Sequence, residues 1–479
     1  LNFSNIAYTL SGLGLILSGS FAVPLAFSLY YGDGHHLVFM VQMVGMLLFS
    51  LLLRKLIEKP TELTIREGFL TVTLSWIILA LLGAIPFMVS GFIPNITDAF
   101  FETMSGFTTT GASILTDIEV LPRSLLVWRD MTQWLGGMGV IALAVAIFPY
   151  LGVGGFQLFR AEVPGPVKDK ISPRISGTAK LLWIVYLVFT AAEILMLMAG
   201  GLSFFEALCT TFGTMATGGF HPKNGSIGAY ASSYIHYVVT GFMFIAGANF
   251  SLHYWALRGR LKLYGSNPEF RFYLGVTGLA AGIILAARLM TGEILSEEVF
   301  RSSLFQTVSI LTTTGFVTVD YERWPFFTQM ILVSLMFIGG CTSSTGGAIK
   351  NARIQILLKH IGVEIKKLFH PHGVFPIKIG DRPVADNIVS NVTVFIALYV
   401  LIFSLGVLAM VGLGLDLGTS IGSVAATLGN VGPGIGSVGP AENYAHVPIW
   451  GKWILSFLMM TGRLEIFTIL VLFTRHFWR

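Results

Sequence analysis

At 479 residues, 54% of them hydrophobic and only 11% charged, with a mean hydropathy of +0.75, the chain is too apolar for a soluble protein. Its net charge of +5 does not point to nucleic acid, because the basic residues lie in loops beside apolar runs, where membrane topology accounts for them. The two cysteines, Cys209 and Cys341, supply neither a disulfide framework nor a metal spacing.

The apolar runs reach about 20 residues or more, enough to cross a bilayer as helices and too long for barrel strands. The expected fold is therefore an all-α polytopic membrane protein in contact with lipid. Residues 1–60 read as an N-terminal transmembrane hairpin, with spans at about 5–31 and 36–57. The first span lacks a basic leader and is not read as a cleavable signal. The turn after it carries no Lys or Arg, whereas the exit carries Arg54, Lys55, Lys59 and Arg66. The positive-inside rule puts that exit, and hence the N-terminus, in the cytoplasm.

Four units of one design follow: a span, a short helix, a glycine-ended strip and a second span. Unit one, 61–160, has spans at about 67–91 and 125–150 around a strip closing on Thr109, Thr110 and Gly111. Unit two, 161–260, has spans at about 179–201 and 232–257 around Thr217, Gly218 and Gly219. Unit three, 261–360, has spans at about 272–291 and 325–354 around Thr313, Thr314 and Gly315. Unit four, 361–479, has spans at about 388–413 and 448–474 around Asn430, Val431 and Gly432. Asp98, Glu206, Ser302 and Thr419 each stand 13 residues before their glycine and are expected to start the short helices, as N-caps or as an acid at the positive end.

The short helix and strip are too short to cross, so they dip in and return. Non-helical backbone at that depth must face protein or water. Basic loops at 160–180, 258–271 and 350–382, and Arg475 and Arg479 at the end, all fall opposite the strips. The units are thus parallel repeats about one axis normal to the membrane, making about ten membrane helices and four re-entrant ones; an inverted-repeat carrier would alternate. Backbone carbonyls from four such strips can replace the water shell of a small cation. The glycine permits backbone angles that a Cβ would forbid.

Four units of this kind in one chain resemble the Trk/Ktr/HKT superfamily of potassium transporters. The added hairpin, the Arg-Ala-Glu-Val-Pro-Gly-Pro loop at 160–166, the Gly-Gly-Cys-Thr-Ser-Ser-Thr-Gly-Gly stretch at 339–347 and Gly-Arg-Leu-Glu-Ile-Phe at 462–467 are similar to the membrane subunits of bacterial Trk systems. The resemblance covers essentially the whole chain. It implies that Gly111, Gly219, Gly315 and Gly432 line one potassium filter, with the two residues before each giving carbonyls. It also implies a homodimer with a pore in each protomer, in the bacterial inner membrane. The implied partner is a cytosolic nucleotide-binding ring, TrkA. This chain has no G-x-G-x-x-G on a βαβ unit, so nucleotide control is expected only through that partner, and no covalent cofactor is expected.

Gly339, Gly340, Cys341, Thr342, Ser343, Ser344, Thr345, Gly346 and Gly347 interrupt the second span of unit three with residues that hold a helix poorly. The stretch fits a kinked, closely packed helix or a broken helix whose flexible loop plugs the pore below the filter; with the resemblance, it reads as a gate. Lys350 and Arg353 are expected beside the large basic loop. Arg463 is an intramembrane charge, expensive unless it faces protein. It reads either as paired with Glu465 or a carbonyl, with a partner from another span favoured since Glu465 does not share its helix face, or as a positive barrier that latches the loop. Trp134, Gly136, Gly137 and Gly139 read as close helix packing, and His221, His253 and His446 as isolated. Asp117, Glu119, Asp320, Glu322 and Glu442 lie at the outer mouth, as solvated loop charges or as a cation-concentrating rim.

Potassium uptake is the leading function. A proton- or sodium-coupled carrier is the alternative, which would need intramembrane acids along a path, and the spans offer mainly Glu193 and Glu465. No paired carboxylates, His cluster or Ser/His arrangement at membrane depth suggests an enzyme.

Overall fold

A computed structural model describes residues 1–58, 64–146, 175–380 and 382–479. The 160–166 motif, Lys168, Lys170 and Arg174 lie outside the described residues. Helices α1 (Phe3–Ser20) and α2 (Ala22–Tyr31) form one rod, and α3 (His36–Leu56) returns beside it. Unit one comprises α4 (Ile65–Val89), the short α5 (Ile96–Phe107) and α6 (Arg123–Ala146). Unit two comprises α7 (Ile175–Ala199), the short α8 (Phe204–Met215), α9 (Ser233–Ala246) and α10 (Phe250–Leu257). A surface helix, α11 (Lys262–Ser266), leads to unit three: α12 (Pro268–Met290), the short α13 (Glu297–Leu311), α14 (Phe326–Ile338) and α15 (Asn351–Phe369). A two-residue antiparallel pair, β1 (Lys378–Ile379) and β2 (Arg382–Pro383), precedes unit four. That unit comprises α16 (Asp386–Gly412), the short α17 (Leu417–Leu428), α18 (Ile449–Arg463) and α19 (Ile466–Leu470).

Among the described residues, 6 helical rods are long and apolar enough to cross a membrane. They are the two of the hairpin and the first span of every unit. The chain is a multi-pass membrane protein. Large apolar side chains such as Val41, Leu48, Leu279 and Leu408 stay exposed on these rods, as lipid contact requires.

The second spans differ from expectation. Among the described residues α6 is unbroken from Arg123 to Ala146, whereas α9 and α10 meet at a bend of 105°, and the α18–α19 rod bends by 116°. Unit three stops at Ile338. The sequence reading placed an interruption in unit three alone. The structure breaks units two and four as well, and in unit two the cause is competition for carbonyls. The last oxygens of α9, Ala246 and Gly247, accept from Thr345 Oγ1 (3.1 Å) and Cys341 N (2.8 Å) instead of from a next helical turn. Asn249 then caps α10, accepting from Ser251 N at 2.9 Å.

The starts of the short helices also differ. Their N-caps are Asn95, Ser203, Ser296 and Asp416, each accepting a backbone N–H. Asp98, Glu206 and Thr419 sit three residues inside the helix, and Ser302 lies deeper still. Glu206 completes a capping box with Ser203, whereas Asp98 at the same offset pairs with Lys452 at 2.6 Å.

The largest core cluster joins the hairpin (Phe21, Phe39), unit one (Phe101, Phe107, Trp128) and unit four (Tyr399, Leu455, Met459). Phe21 packs on Trp128 with ring centroids 4.4 Å apart. The hairpin thus braces unit one from outside the four-unit assembly.

Candidate functional site

The four short helices end in the same way. Thr109, Thr217, Thr313 and Asn430 are left-handed, with φ of 50°, 52°, 61° and 53°. In unit one, Thr109 N donates to Gly106 O (2.9 Å) and Thr110 N to Ser105 O (2.8 Å). Equivalent pairs recur at Thr217 and Gly218, Thr313 and Thr314, and Asn430 and Val431. This is a Schellman closure, normally made with glycine or asparagine at the left-handed position. A β-branched threonine there is strained by about 1–3 kcal/mol. Asn430 was the one visible hint, since asparagine tolerates this geometry; three threonines concealed it.

Two residues later the chain turns left-handed again, at Gly111 (φ 85°), Gly219 (82°), Gly315 (77°) and Gly432 (99°). A Cβ on Gly111 would overlap the Gly218 carbonyl oxygen, one on Gly219 that of Thr314, and one on Gly315 that of Val431. A Cβ on Gly432 would lie 2.7 Å from Thr110 O. Each strip therefore abuts the next, and the fourth abuts the first. The twelve predicted strip residues are brought together as a closed ring, and the unit-four strip, weaker in sequence, is equivalent in geometry. The negative C-terminal ends of the four helices run into this ring, an electrostatic setting that favours a cation.

Side chains brace the ring. Thr108 and Thr110 share a hydroxyl contact of 2.8 Å, as do Thr312 and Thr314. Asn430 Nδ2 donates to Thr110 Oγ1 (3.0 Å) and Met459 O (2.9 Å), linking strips four and one. Tyr444 donates to Gly432 O at 2.9 Å. Gly136 and Gly137 belong to this packing: a Cβ on Gly136 would overlap Phe107 O, and one on Gly137 would come 2.9 Å from Ala216 Cα.

A second ring of contacts joins the outer loops. Ile118 N donates to Asn224 Oδ1 (2.7 Å), Gly228 N to Val317 O (3.0 Å), Gly436 N to Glu322 Oε1 (2.6 Å) and Tyr444 N to Ser113 O (2.8 Å). The mouth acids thus hold loops together: Asp117 accepts from Asn224 Nδ2 (2.8 Å), and Glu119 pairs with Lys223 (3.6 Å). Partial burial, with Asp320 and Glu442 nearby, pushes the Glu322 carboxyl up despite its Gly436 hydrogen bond. His221 and His253 have structural partners, Thr210 Oγ1 (3.2 Å) and Ile245 O (2.8 Å).

The stretch 339–347 lies against the ring on the side of the broken spans. Gly347 N donates to Thr313 Oγ1 (2.7 Å), and Thr345 Oγ1 donates to Met215 O (3.1 Å). A Cβ on Gly347 would meet Asn430 Cβ at 3.0 Å. The loop therefore touches units two, three and four together. It is not slack: Thr342 is held by both oxygens of Glu269 (2.6 and 2.7 Å), and Asn351 Nδ2 donates to Gly339 O (2.6 Å). Left-handed Ser343, Ala348 and Lys350 mark its turns.

Arg463 is buried, and its Nη1 donates to Thr345 O at 2.6 Å. Its expected partner from another span is thus a loop carbonyl. Glu465 pairs with Arg353 at 2.7 Å, and both Arg353 and Lys350 are buried. The Arg353–Glu465 pair was missed because its members are 112 residues apart and meet only where two broken spans cross.

Residues 35–478 match the family described as TrkH, cation transport protein. The chain is 43% identical to the Trk system potassium uptake protein TrkH of Escherichia coli K12, over 100% of both chains. It is 41% identical to the protein of the same name from Halomonas elongata, over 98% of each. Its fold matches the crystal structure of the potassium transporter TrkH from Vibrio parahaemolyticus with a TM-score of 0.92, at 36% identity and covering 100% of both chains.

Proposed function

The chain belongs to the TrkH family of cation transport proteins, and we propose that it takes potassium into the cell through a filter built from the four-strip ring. The observation that carries this reading is the closure of Gly111 on Gly218, Gly219 on Thr314, Gly315 on Val431 and Gly432 on Thr110. Such a ring offers carbonyls from Thr109 and Thr110, Thr217 and Gly218, Thr313 and Thr314, and Asn430 and Val431 to one dehydrated cation. Relatives named as potassium uptake proteins support potassium as the ion. The four repeats divide at 61–160, 161–260, 261–360 and 361–479, behind the hairpin 1–60, with both termini cytoplasmic in the bacterial inner membrane.

The loop 339–347 and Arg463 form the gate. A cation leaving the ring meets hydrogen-bonded backbone and a fixed positive charge. A cytosolic nucleotide-binding ring, TrkA, releases this closure from the side of the basic loops, and the chain works as a homodimer.

Rubidium uptake into liposomes holding the chain, with and without the ring partner, tests the reading. Uptake that rises with the partner and is blocked by potassium more than by sodium supports it. Unitary currents of many ions per second separate a conducting pore from a proton- or sodium-coupled carrier. Absence of any rubidium flux with the partner present would overturn it.

A further inference from the structure

Three strips carry a side chain just before their last glycine: Thr110, Thr314 and Val431. The second strip has Gly218 there. The reason lies in another unit. A Cβ on Gly218 would overlap the Cδ of Gln133, which reaches across from α6 of unit one. Gln133 is fully buried. Its Nε2 donates to Gly218 O at 2.7 Å, and its Oε1 accepts from Phe220 N at 2.9 Å. The two bonds fix the amide orientation, because flipping it would set NH₂ against N–H and oxygen against oxygen.

Gly218 O is also the oxygen on which Gly111 closes. Gln133 therefore holds one of the four joints of the ring from behind. At the matching positions of strips one and three, Thr110 and Thr314 turn to Thr108 and Thr312 (2.8 Å each). Strip two has no such hydroxyl, and the amide of Gln133 occupies the space.

We propose that Gln133 is a positioning residue for cation discrimination, acting through the Gly218 carbonyl. The inference rests on the filter reading given above. A carbonyl tied to a buried amide cannot move inward onto a smaller ion. The same hydrogen bond draws on the oxygen's lone pairs and weakens the field it presents. Whether selectivity comes from cavity size or from carbonyl field strength, releasing the oxygen shifts preference toward sodium.

The test compares the full chain in liposomes as wild type, Gln133→Met, Gln133→Leu and Gly315→Ser, reading rubidium and sodium uptake. Gln133→Met keeps the side-chain length without the donor. Gln133→Leu also lacks the donor and serves if the first variant folds poorly. Both are expected to lower the preference for rubidium over sodium roughly two- to tenfold, the scale of one hydrogen bond. The change should come mainly from a lower KM for sodium, with maximal rubidium flux kept. A wild-type ratio in both Gln133 variants, alongside a lost preference in Gly315→Ser, overturns the inference and leaves the filter standing. Reduced flux of both ions at an unchanged ratio assigns Gln133 a packing role and overturns it equally. An unchanged ratio in Gly315→Ser removes the filter reading, and this inference with it.

Discussion

The guanidinium of Arg463 donates from Nη1 to the main-chain oxygen of Thr345 at 2.6 Å, joining the last residue of α18 to the loop that interrupts unit three. Nε and Nη2 of the same group make no hydrogen bond among the described residues. One bond therefore carries the latch, and the charge is held there because an arginine cannot shed its proton.

This gives an ordered series at one position. Arg463→Ala removes the bond and the charge, and rubidium uptake by the chain alone should rise roughly tenfold or more, the scale of one charged hydrogen bond. Arg463→Lys keeps a charge and a donor, and should stay close to wild type. Removing 341–346 should raise flux as alanine does, with little change in selectivity. Equal uptake by wild type, Arg463→Ala and the loop deletion would leave Arg463 a purely structural residue.

Arg353 and Glu465 cross-link the same region at 2.7 Å, with Arg353 stacked 4.1 Å from the Phe395 ring centroid. Both are buried, so removing one leaves an uncompensated charge. Arg353→Met should destabilise the fold by about 3–5 kcal/mol, whereas Arg353→Met with Glu465→Leu should recover most of the loss. Thermal unfolding in detergent reads both. A double variant as unstable as the single would show that the pair contributes through shape rather than charge.

The architecture was legible because its signals are local and periodic. Apolar runs of bilayer length and glycines at a fixed offset pointed to a helical membrane fold with four glycine-ended strips before any coordinates. The ring at Thr109–Gly111 and its three counterparts followed from glycine placement alone. The bend in unit two was not legible, because it depends on which carbonyls the 339–347 loop takes. Ala246 and Gly247 look like ordinary helix residues until Thr345 and Cys341 reach them. Gln133 was silent for the same reason: its partner, Gly218, lies 85 residues away.

The surface of α15 bears on the proposed partner. Lys366 and Lys367 sit in its last turn, with Lys367 paired to Glu364 at 2.8 Å. The Lys367 bond holds the exposed Glu364 carboxyl below its usual range. Reversing both lysines to glutamate should weaken co-purification with the nucleotide-binding ring by roughly tenfold at low salt. The difference should vanish near 1 M salt, where screening acts over about 3 Å. Retention indifferent to salt and to the reversal would place docking elsewhere.

The ring glycines make the sharpest ranking. All four are left-handed, so any side chain is strained there, but the space differs. At Gly111, Gly219 and Gly315 a new Cβ overlaps the neighbouring carbonyl oxygen outright. At Gly432 it would stand 2.7 Å from Thr110 O, still too close for that backbone oxygen to stay in place but a smaller overlap than at the other three. Serine at the first three positions must push a neighbour's oxygen off the axis, which breaks the joint and alters two strips at once. Serine at Gly432 strains its own strip and displaces Thr110 less. The rubidium-to-sodium uptake ratio should therefore fall further in Gly111→Ser, Gly219→Ser and Gly315→Ser than in Gly432→Ser. Gly362→Ala is the control, since a Cβ there meets nothing within 4 Å and the site lies in the helix α15, where alanine is favoured by roughly 1 kcal/mol. That variant should keep wild-type selectivity and gain slightly in stability. Gly432→Ser as damaging as the other three would mean that backbone angle rather than the neighbour's oxygen governs the ring. Four serine variants with wild-type ratios would show that the ring does not select the ion.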